Sequence, residues 1–120
     1  MGLIIADTNI VIYTIQGLQQ VEPYTEYDFA ISKISIIELL GVKGIDDFTL
    51  RKRKEFINTC SLFPFNSFIR EMAIKLKQKY ILKIPDAIIA ATSLHYDVTL
   101  LTADKEFNKI KELISIIVLL

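Results

Sequence analysis

Short apolar runs alternate along the chain with longer segments in which apolar residues recur every three or four positions. The run Leu3–Ala6 is too short for a helix and rich in branched residues, which indicates a buried strand. Further strands are predicted at residues 29–32, 98–101 and 114–119. Continuous apolar runs are typical of parallel strands that are covered on both faces, because neither face then needs polar residues.

Helices are predicted between these strands. They cover residues 8–15, 36–40, 46–60, 67–80 and 86–96, with a short helix near residues 105–111. Gly17 and Gly41 follow two of these segments as helix-ending residues, and Pro85 opens the segment that begins at Asp86. Residues 63–65 are predicted to be an extended link. Strands that alternate with helices predict an α/β fold with a mostly parallel sheet covered on both sides.

Length and composition narrow the class of protein. The 120 residues predict a single domain, residues 1–120, and the chain is 52% hydrophobic with a mean hydropathy of +0.39. No apolar run approaches the ~20 residues of a membrane-spanning helix, and the N-terminus lacks the pattern of a signal peptide. The single cysteine, Cys60, excludes an internal disulfide. We therefore expect a cytoplasmic protein, not bound to a membrane, with an apolar surface buried by a partner.

The net charge is zero, but the charges are unevenly distributed. Residues 1–50 carry seven acidic and two basic side chains, whereas residues 51–120 carry seven acidic and twelve basic ones. Basic residues cluster at residues 51–54 and again at residues 75–83. A basic rim beside an acidic pocket would suit a polyanionic substrate, but two solvated helix faces explain these clusters equally well.

Four acidic residues are placed where predicted strands end or predicted helices begin: Asp7, Glu38, Asp86 and Asp104. In open parallel sheets, ligands bind beyond the carboxyl ends of the strands. The four carboxylates are therefore expected to point into one crevice, although they are far apart in the sequence.

Each of these acids also has an ordinary structural explanation. Ser35 and Glu38 fit a capping box, in which Ser35 caps the helix and Glu38 bonds back to its amide. Asp7 and Asp86 fit helix N-caps. Asp104 fits a first-turn acid that follows Thr102 as the cap.

The surroundings of the acids favour a metal site. Glu38 and Asp86 lie among apolar residues, and burying unpaired carboxylates costs several kcal/mol each unless cations compensate. Oxygen ligands without a cluster of Cys or His favour Mg²⁺ or Mn²⁺ over zinc. The one histidine, His95, lies at the far end of the Asp86 helix and is expected at the surface.

Four segments carry a recognisable pattern. Residues 5–12 read Ile-Ala-Asp-Thr-Asn-Ile-Val-Ile, and residues 34–41 read Ile-Ser-Ile-Ile-Glu-Leu-Leu-Gly. Residues 84–92 read Ile-Pro-Asp-Ala-Ile-Ile-Ala-Ala-Thr, and residues 100–107 read Leu-Leu-Thr-Ala-Asp-Lys-Glu-Phe. In this order the segments resemble PIN domains, and most closely the VapC-type toxins of bacterial and archaeal toxin–antitoxin pairs.

The resemblance implies a PIN-like α/β/α sandwich with a central, mostly parallel sheet. It also implies cleavage of RNA, a homodimer and inhibition by a cognate antitoxin protein. The residues that it assigns to the metal and to catalysis are Asp7, Glu38, Asp86 and Asp104. Those that it assigns to support of the pocket are Thr8, Asn9 and Thr102. As a hypothesis, these acids hold one or two Mg²⁺ or Mn²⁺ ions that activate water against a phosphodiester bond.

The chain departs from the family pattern at two positions. Ala103 stands where the family often has Arg, which puts one phosphate contact in doubt. Glu106 stands where the family often has Asp, and this leaves open whether Glu106 contributes to the metal site.

Two other interpretations remain open. An Asp-Thr-Asn sequence after a strand also fits aspartyl-phosphate phosphatases of the haloacid dehalogenase type, in which the first Asp is a nucleophile. Those enzymes usually have a second Asp where Asn9 stands and a larger chain. A non-catalytic binding or scaffold module with the same fold is the other possibility, and the presence of all four acids argues against it.

Overall fold

A five-stranded parallel sheet forms the centre of the molecule, with strand order β3-β2-β1-β4-β5. The computed structural model describes residues 2–120. The strands are β1 Leu3–Ala6, β2 Asp28–Ser32, β3 Ser61–Phe63, β4 Leu100–Thr102 and β5 Ser115–Ile117. The predicted α/β class with a central parallel sheet is confirmed.

Helices cover both faces of the sheet. They are α1 Thr8–Ile15, α2 Lys33–Leu40, α3 Asp47–Ile57, α4 Ser67–Lys79 and α5 Ile84–Tyr96, with 3-10 helices at Gln19–Tyr24 and Lys105–Lys109. Within residues 2–120, no helix combines the length and the apolar character that crossing a bilayer requires.

Strand β1 shows why the sheet is covered on both faces. Successive side chains of a strand point to opposite sides. Ile5 packs with apolar residues of α4 and α5, whereas Ile4 and Ala6 pack with residues of α1, α2 and α3. All three side chains are buried, which explains the continuous apolar run in the sequence.

One helix start was predicted wrongly, and one strand was not predicted. Helix α2 begins at Lys33 and not at residue 36, because Ser32 and not Ser35 is its N-cap: the Ser32 hydroxyl accepts a hydrogen bond from the Ile34 amide at 3.2 Å. The predicted link at residues 63–65 overlaps the edge strand β3, which pairs with β2. The exposed Ser61 and Leu62 give β3 no buried apolar run, so the sequence pattern does not indicate a strand there.

Candidate active site

The candidate site lies at the carboxyl edge of the sheet, between β1 and β4. Strands β2 and β3 lie on one side of β1, and β4 and β5 lie on the other. Chain connections diverge at such a switch point and leave a crevice, which is where ligands bind in open α/β sheets. Asp7 follows β1 directly, and its amide donates a hydrogen bond to the Leu101 carbonyl at 3.2 Å. Pairing of β1 with β4 therefore brings Asp7 close to the residues that follow β4, although they are far apart in the sequence.

Asp7 is a buried carboxylate that makes two hydrogen bonds. Its Oδ1 accepts from the Ile10 amide at 3.0 Å, so Asp7 is the N-cap of α1, as one interpretation of the sequence proposed. Its Oδ2 accepts from the Thr102 hydroxyl. Burial raises the pKa of Asp7 to about 6, against the lowering effect of both hydrogen bonds and with added repulsion from Asp86 and Asp104. The carboxylate thus serves as a cap with one oxygen and faces the site with the other.

Thr102 connects Asp7 to Asp104. Its hydroxyl oxygen also accepts a hydrogen bond from the Asp104 amide, at 3.0 Å. Asp104 in turn caps the 3-10 helix Lys105–Lys109, because its Oδ1 accepts from the Glu106 amide at 2.9 Å. The expectation that Asp104 is a first-turn acid behind Thr102 is wrong, since Asp104 is itself the cap. The Thr102 hydroxyl instead fixes the spacing between the two acids.

Asp86 lies inside the first turn of α5. The N-cap residue is Lys83, which makes no side-chain cap hydrogen bond, so the expectation of an Asp86 cap is wrong. The helix begins earlier than expected because Pro85 is accommodated in the first turn, where its missing N–H has no helical partner to lose. Asp86 is half-buried and free of a capping role.

Neighbouring groups shift the pKa of Asp86 in opposite directions. Burial is the largest cause that raises its pKa, followed by repulsion from Asp104 and then Glu38. The positive charges of Lys83 and Lys109 lower the pKa. Asp86 therefore lies close enough to Asp104 and Glu38 for electrostatic repulsion. Two lysines, Lys83 and Lys109, are also near enough to act on it.

Glu38 reaches the site from α2. The Thr8 hydroxyl donates a hydrogen bond to Glu38 Oε1 at 2.7 Å, and the Ser35 hydroxyl lies 3.1 Å from Thr8 Oγ1. Glu38 is exposed and stands in the second turn of α2, so the predicted capping box with Ser35 is wrong. Asn9 lies exposed near the start of α1. Thr8 thus connects Glu38 to the helix that follows β1.

In the part of the chain that the structure describes, none of the four acids forms a salt bridge. Within residues 2–120, the salt bridges are Arg70–Glu71, Lys79–Glu112 and Lys109–Glu106, and none includes Asp7, Glu38, Asp86 or Asp104. In the same part of the chain, no group of three or more His, Cys, Asp or Glu side chains is arranged to hold a metal ion. The fold therefore brings carboxylates to one edge, where they repel each other, without closing them into a coordination shell.

Some features of the site were not found from the sequence. Lys109 lies near Asp86, although the sequence analysis did not single it out. Its position five residues after Asp104 was the one available signal. Ser35 was identified only as a cap, and it lies buried next to Thr8. His95 is exposed as expected, and its ring stacks on Phe68 at 5.6 Å between centroids.

An all-parallel sheet with acidic side chains at the carboxyl ends of its central strands is the arrangement of a PIN domain. Residues 4–113 match the family model described as "PIN domain", and the chain belongs to this family. Membership in this family leaves the haloacid dehalogenase interpretation without support.

Particular relatives are similar over nearly the whole chain. A Rickettsia bellii protein named "Ribonuclease VapC" is 31% identical over 126 residues, covering 94% of this chain and 93% of the relative. A toxin–antitoxin complex from Klebsiella pneumoniae matches with a TM-score of 0.79 and 28% identity, over 92% of this chain and 95% of the other. VapBC2 from Rickettsia felis, bound to a promoter DNA fragment, matches with a TM-score of 0.79 and 25% identity, over 97% and 98%.

Proposed function

We propose that the chain is a Mg²⁺- or Mn²⁺-dependent endoribonuclease that acts as the toxin of a toxin–antitoxin pair. The observation that carries this proposal is the set of unpaired, mutually repelling carboxylates at the switch point of a PIN-domain sheet. The similar protein named a ribonuclease supports the activity, and the similar toxin–antitoxin complexes support the biological role.

The donor set fits a hard divalent cation. The candidate ligands Asp7, Glu38, Asp86 and Asp104 all offer carboxylate oxygens, which Mg²⁺ and Mn²⁺ prefer. The raised pKa of Asp7 indicates a buried charge without a counter-charge, and cation binding would lower that pKa. Repulsion among uncompensated carboxylates also gives a physical reason why residues 2–120 contain no group of side chains already arranged to hold a metal ion.

The residues around these acids hold them for the reaction. A bound divalent cation would lower the pKa of an attacking water and neutralise charge that builds on the phosphate. Asp7 is held by the Ile10 amide and the Thr102 hydroxyl, so its free lone pairs are already directed before substrate arrives. Thr8 orients Glu38 in the same way from the adjoining helix.

The test is cleavage of single-stranded RNA by the purified chain with Mn²⁺ and with EDTA. Asp86→Asn keeps the shape of the side chain and removes its charge, and we expect at least a 100-fold loss of cleavage, on the order of one lost electrostatic contact in a catalytic site. Asp97→Asn is the matched control, because Asp97 ends the same helix with a φ of 53° that Asn also accepts. Equal cleavage by both variants, or cleavage in EDTA, would contradict the proposal.

We also propose a surface for the antitoxin. A cleft of about 370 Å³ between α1 and α3 has an apolar floor that includes Ile12, Ile15 and Phe48, with Lys52 and Arg53 at its side. Phe48 is 61% exposed, which is costly for a large aromatic side chain without a partner. The charges favour a partner segment that is apolar on one face and acidic on the other. Phe48→Lys should then weaken inhibition by the cognate antitoxin and leave RNA cleavage by the free chain unchanged.

The second proposed partner is another copy of the chain, which would form a homodimer. We also propose that the protein is located in the cytoplasm. An apolar cleft of about 240 Å³ on the α4–α5 face is lined by side chains that include Phe65, Ile74 and Ile84. Arg70 and Glu71 lie in the same helix α4. Two copies related by a twofold axis can set these opposite charges against each other while they cover the apolar residues.

A further inference from the structure

Lys109 is a cation held in place at the edge of the acidic site. Its Nζ lies 2.7 Å from Glu106 Oε2, and its side chain is 34% exposed, whereas that of Glu106 is 70% exposed. Both residues belong to the 3-10 helix Lys105–Lys109. Residues three apart lie directly above each other in a 3-10 helix, so this pairing follows from the helix type.

The 3-10 helix is anchored in the same buried cluster as the start of α5, which carries Asp86. Phe107 and Ile110, on either side of Lys109, are each 2% exposed. They belong to the same buried cluster as Ala87 and Ile88, which follow Asp86 directly. Lys109 also belongs to the helix that Asp104 caps, so it lies within two helical turns of one of the four acids. Buried anchors thus keep this ammonium group beside the site, instead of leaving it free in solvent.

We propose that Lys109, held by Glu106, binds a phosphate of the RNA next to the acidic residues. This inference rests on the proposed ribonuclease function and adds a substrate-binding residue to it. An RNA strand that approaches several carboxylates is repelled, and a cation at a fixed position beside them offsets that repulsion. The Lys109–Glu106 pair is exposed enough for a phosphate to exchange with the carboxylate, because exposed ion pairs are weak.

This proposal gives Glu106 a role as a positioning residue. Its carboxylate is engaged by Lys109, whose Nζ donates to Glu106 Oε2 at 2.7 Å. Its backbone amide donates to Asp104 Oδ1 at 2.9 Å, so the residue connects the acid to the lysine. The sequence left open whether Glu106 contributes to the metal site. Under this proposal, Glu106 holds Lys109 and does not bind the metal.

The test measures RNA binding apart from cleavage. The full chain with Asp7→Asn is titrated with a fluorescent single-stranded RNA over a range of salt concentrations. We expect Lys109→Gln to weaken binding roughly 10-fold and to reduce the slope against log salt by about 0.7, the value for one lost phosphate contact on a single strand. Lys109→Arg should restore both. Lys111→Gln, an exposed residue nearby, removes the same charge and should change neither.

Glu106→Gln separates positioning from metal binding. Under the proposal, this variant weakens RNA binding by less than Lys109→Gln, and Mn²⁺ raises its melting temperature as much as that of the wild type. Loss of the Mn²⁺ effect in Glu106→Gln would identify Glu106 as a metal ligand and overturn the proposal.

Other results would also overturn it: no measurable RNA binding by the parent, unchanged binding in Lys109→Gln, or an effect seen only in Lys83→Gln, the other lysine near Asp86. The proposed function is judged by a different assay. A wild-type chain that binds RNA through Lys109 but does not cleave it with Mn²⁺ would refute the ribonuclease proposal and leave the role of Lys109 intact.

Discussion

At the scale of single residues, Asp7 combines a structural and a chemical task. One oxygen caps α1, which fixes the position of the carboxylate, and the other accepts from Thr102 inside the site. The side chain is 7% exposed, so water does little to stabilise its charge. Ionisation of this carboxylate therefore destabilises the metal-free protein.

The pKa of Asp7 predicts how stability depends on pH without metal. Because the pKa is raised from 3.8 to about 6, the stabilising contribution of Asp7 is complete below pH 3.8 and is lost as the pH rises through 6. From pH 4 to pH 7, the free energy of unfolding of the wild type should fall by roughly 2 kcal/mol relative to Asp7→Asn, which cannot ionise. Urea unfolding in EDTA measures this difference. A constant difference between the two proteins over that range would show that Asp7 ionises normally.

Thr102 predicts a second effect at this scale. Thr102→Val keeps the shape of the side chain but removes the donor to Asp7 and the acceptor for the Asp104 amide. We expect a loss of about 1–3 kcal/mol in unfolding free energy at pH 7, the cost of leaving buried polar groups without partners. Thr92→Val is the control, because the buried Thr92 hydroxyl donates only to the Ile88 carbonyl of its own helix. A smaller loss in Thr102→Val than in Thr92→Val would argue against the bridging role.

At the scale of elements, the ends of strands and the starts of helices position the acids. Ser32 is both the last residue of β2 and the cap of α2, so the helix leaves the sheet without a loop. This direct connection determines where Glu38 lies relative to β1. Helix α5 places Asp86 by a different route, since the helix starts at Ile84 with Pro85 in its first turn, and Asp86 therefore does not serve as its cap.

The Ser32 cap predicts a linked change in stability and activity. Ser32→Ala should lower the unfolding free energy by about 1 kcal/mol and raise the Mn²⁺ concentration needed for half-maximal cleavage, because the first turn of α2 loosens. Asn66→Ala removes the cap of α4, whose Oδ1 accepts from the Ile69 amide at 3.0 Å. This control should lose similar stability with no change in the Mn²⁺ requirement. The same Mn²⁺ shift in both variants would point to general destabilisation.

At the scale of the whole molecule, the sheet order decides both the site and the free surfaces. The switch point between β1 and β4 places the acids at one edge. Large apolar side chains remain exposed on the α4–α5 face, among them Ile74 at 44% and Ile84 at 62%. A single chain gains nothing from such exposure, which is the physical argument for a second copy.

The dimer prediction is tested by sedimentation velocity. The wild type should sediment with twice the chain mass of 13.7 kDa. Ile74→Glu should shift the population towards the monomer, because Ile74 lines the apolar cleft of the α4–α5 face and the variant places a charge in that contact. Ile114→Glu changes another exposed isoleucine, 67% exposed, and should leave the dimer intact. A monomeric wild type, or equal effects of the two variants, would remove this face as the interface.

Much of the fold could be predicted from the sequence, because strands that are buried on both faces need uninterrupted apolar residues, as in Leu3–Ala6. The positions of Asp7 and Asp104 after strands also followed from local pattern alone. The edge strand β3 could not be predicted, since its exposed side chains carry no such signal. The N-cap of α2 could not be predicted either, because both Ser32 and Ser35 have a side chain that can cap a helix.

The sequence by itself determined the class of fold and the choice of acidic residues, since both depend on patterns only a few residues long. Only the tertiary structure decided that Thr102 bonds to Asp7, 95 residues away, and that the residues around Lys109 share a buried cluster with the start of α5. These contacts depend on which strands pair and on how the 3-10 helix packs against α5. Such pairings arise from the burial of apolar surface across the whole chain, which no local segment encodes.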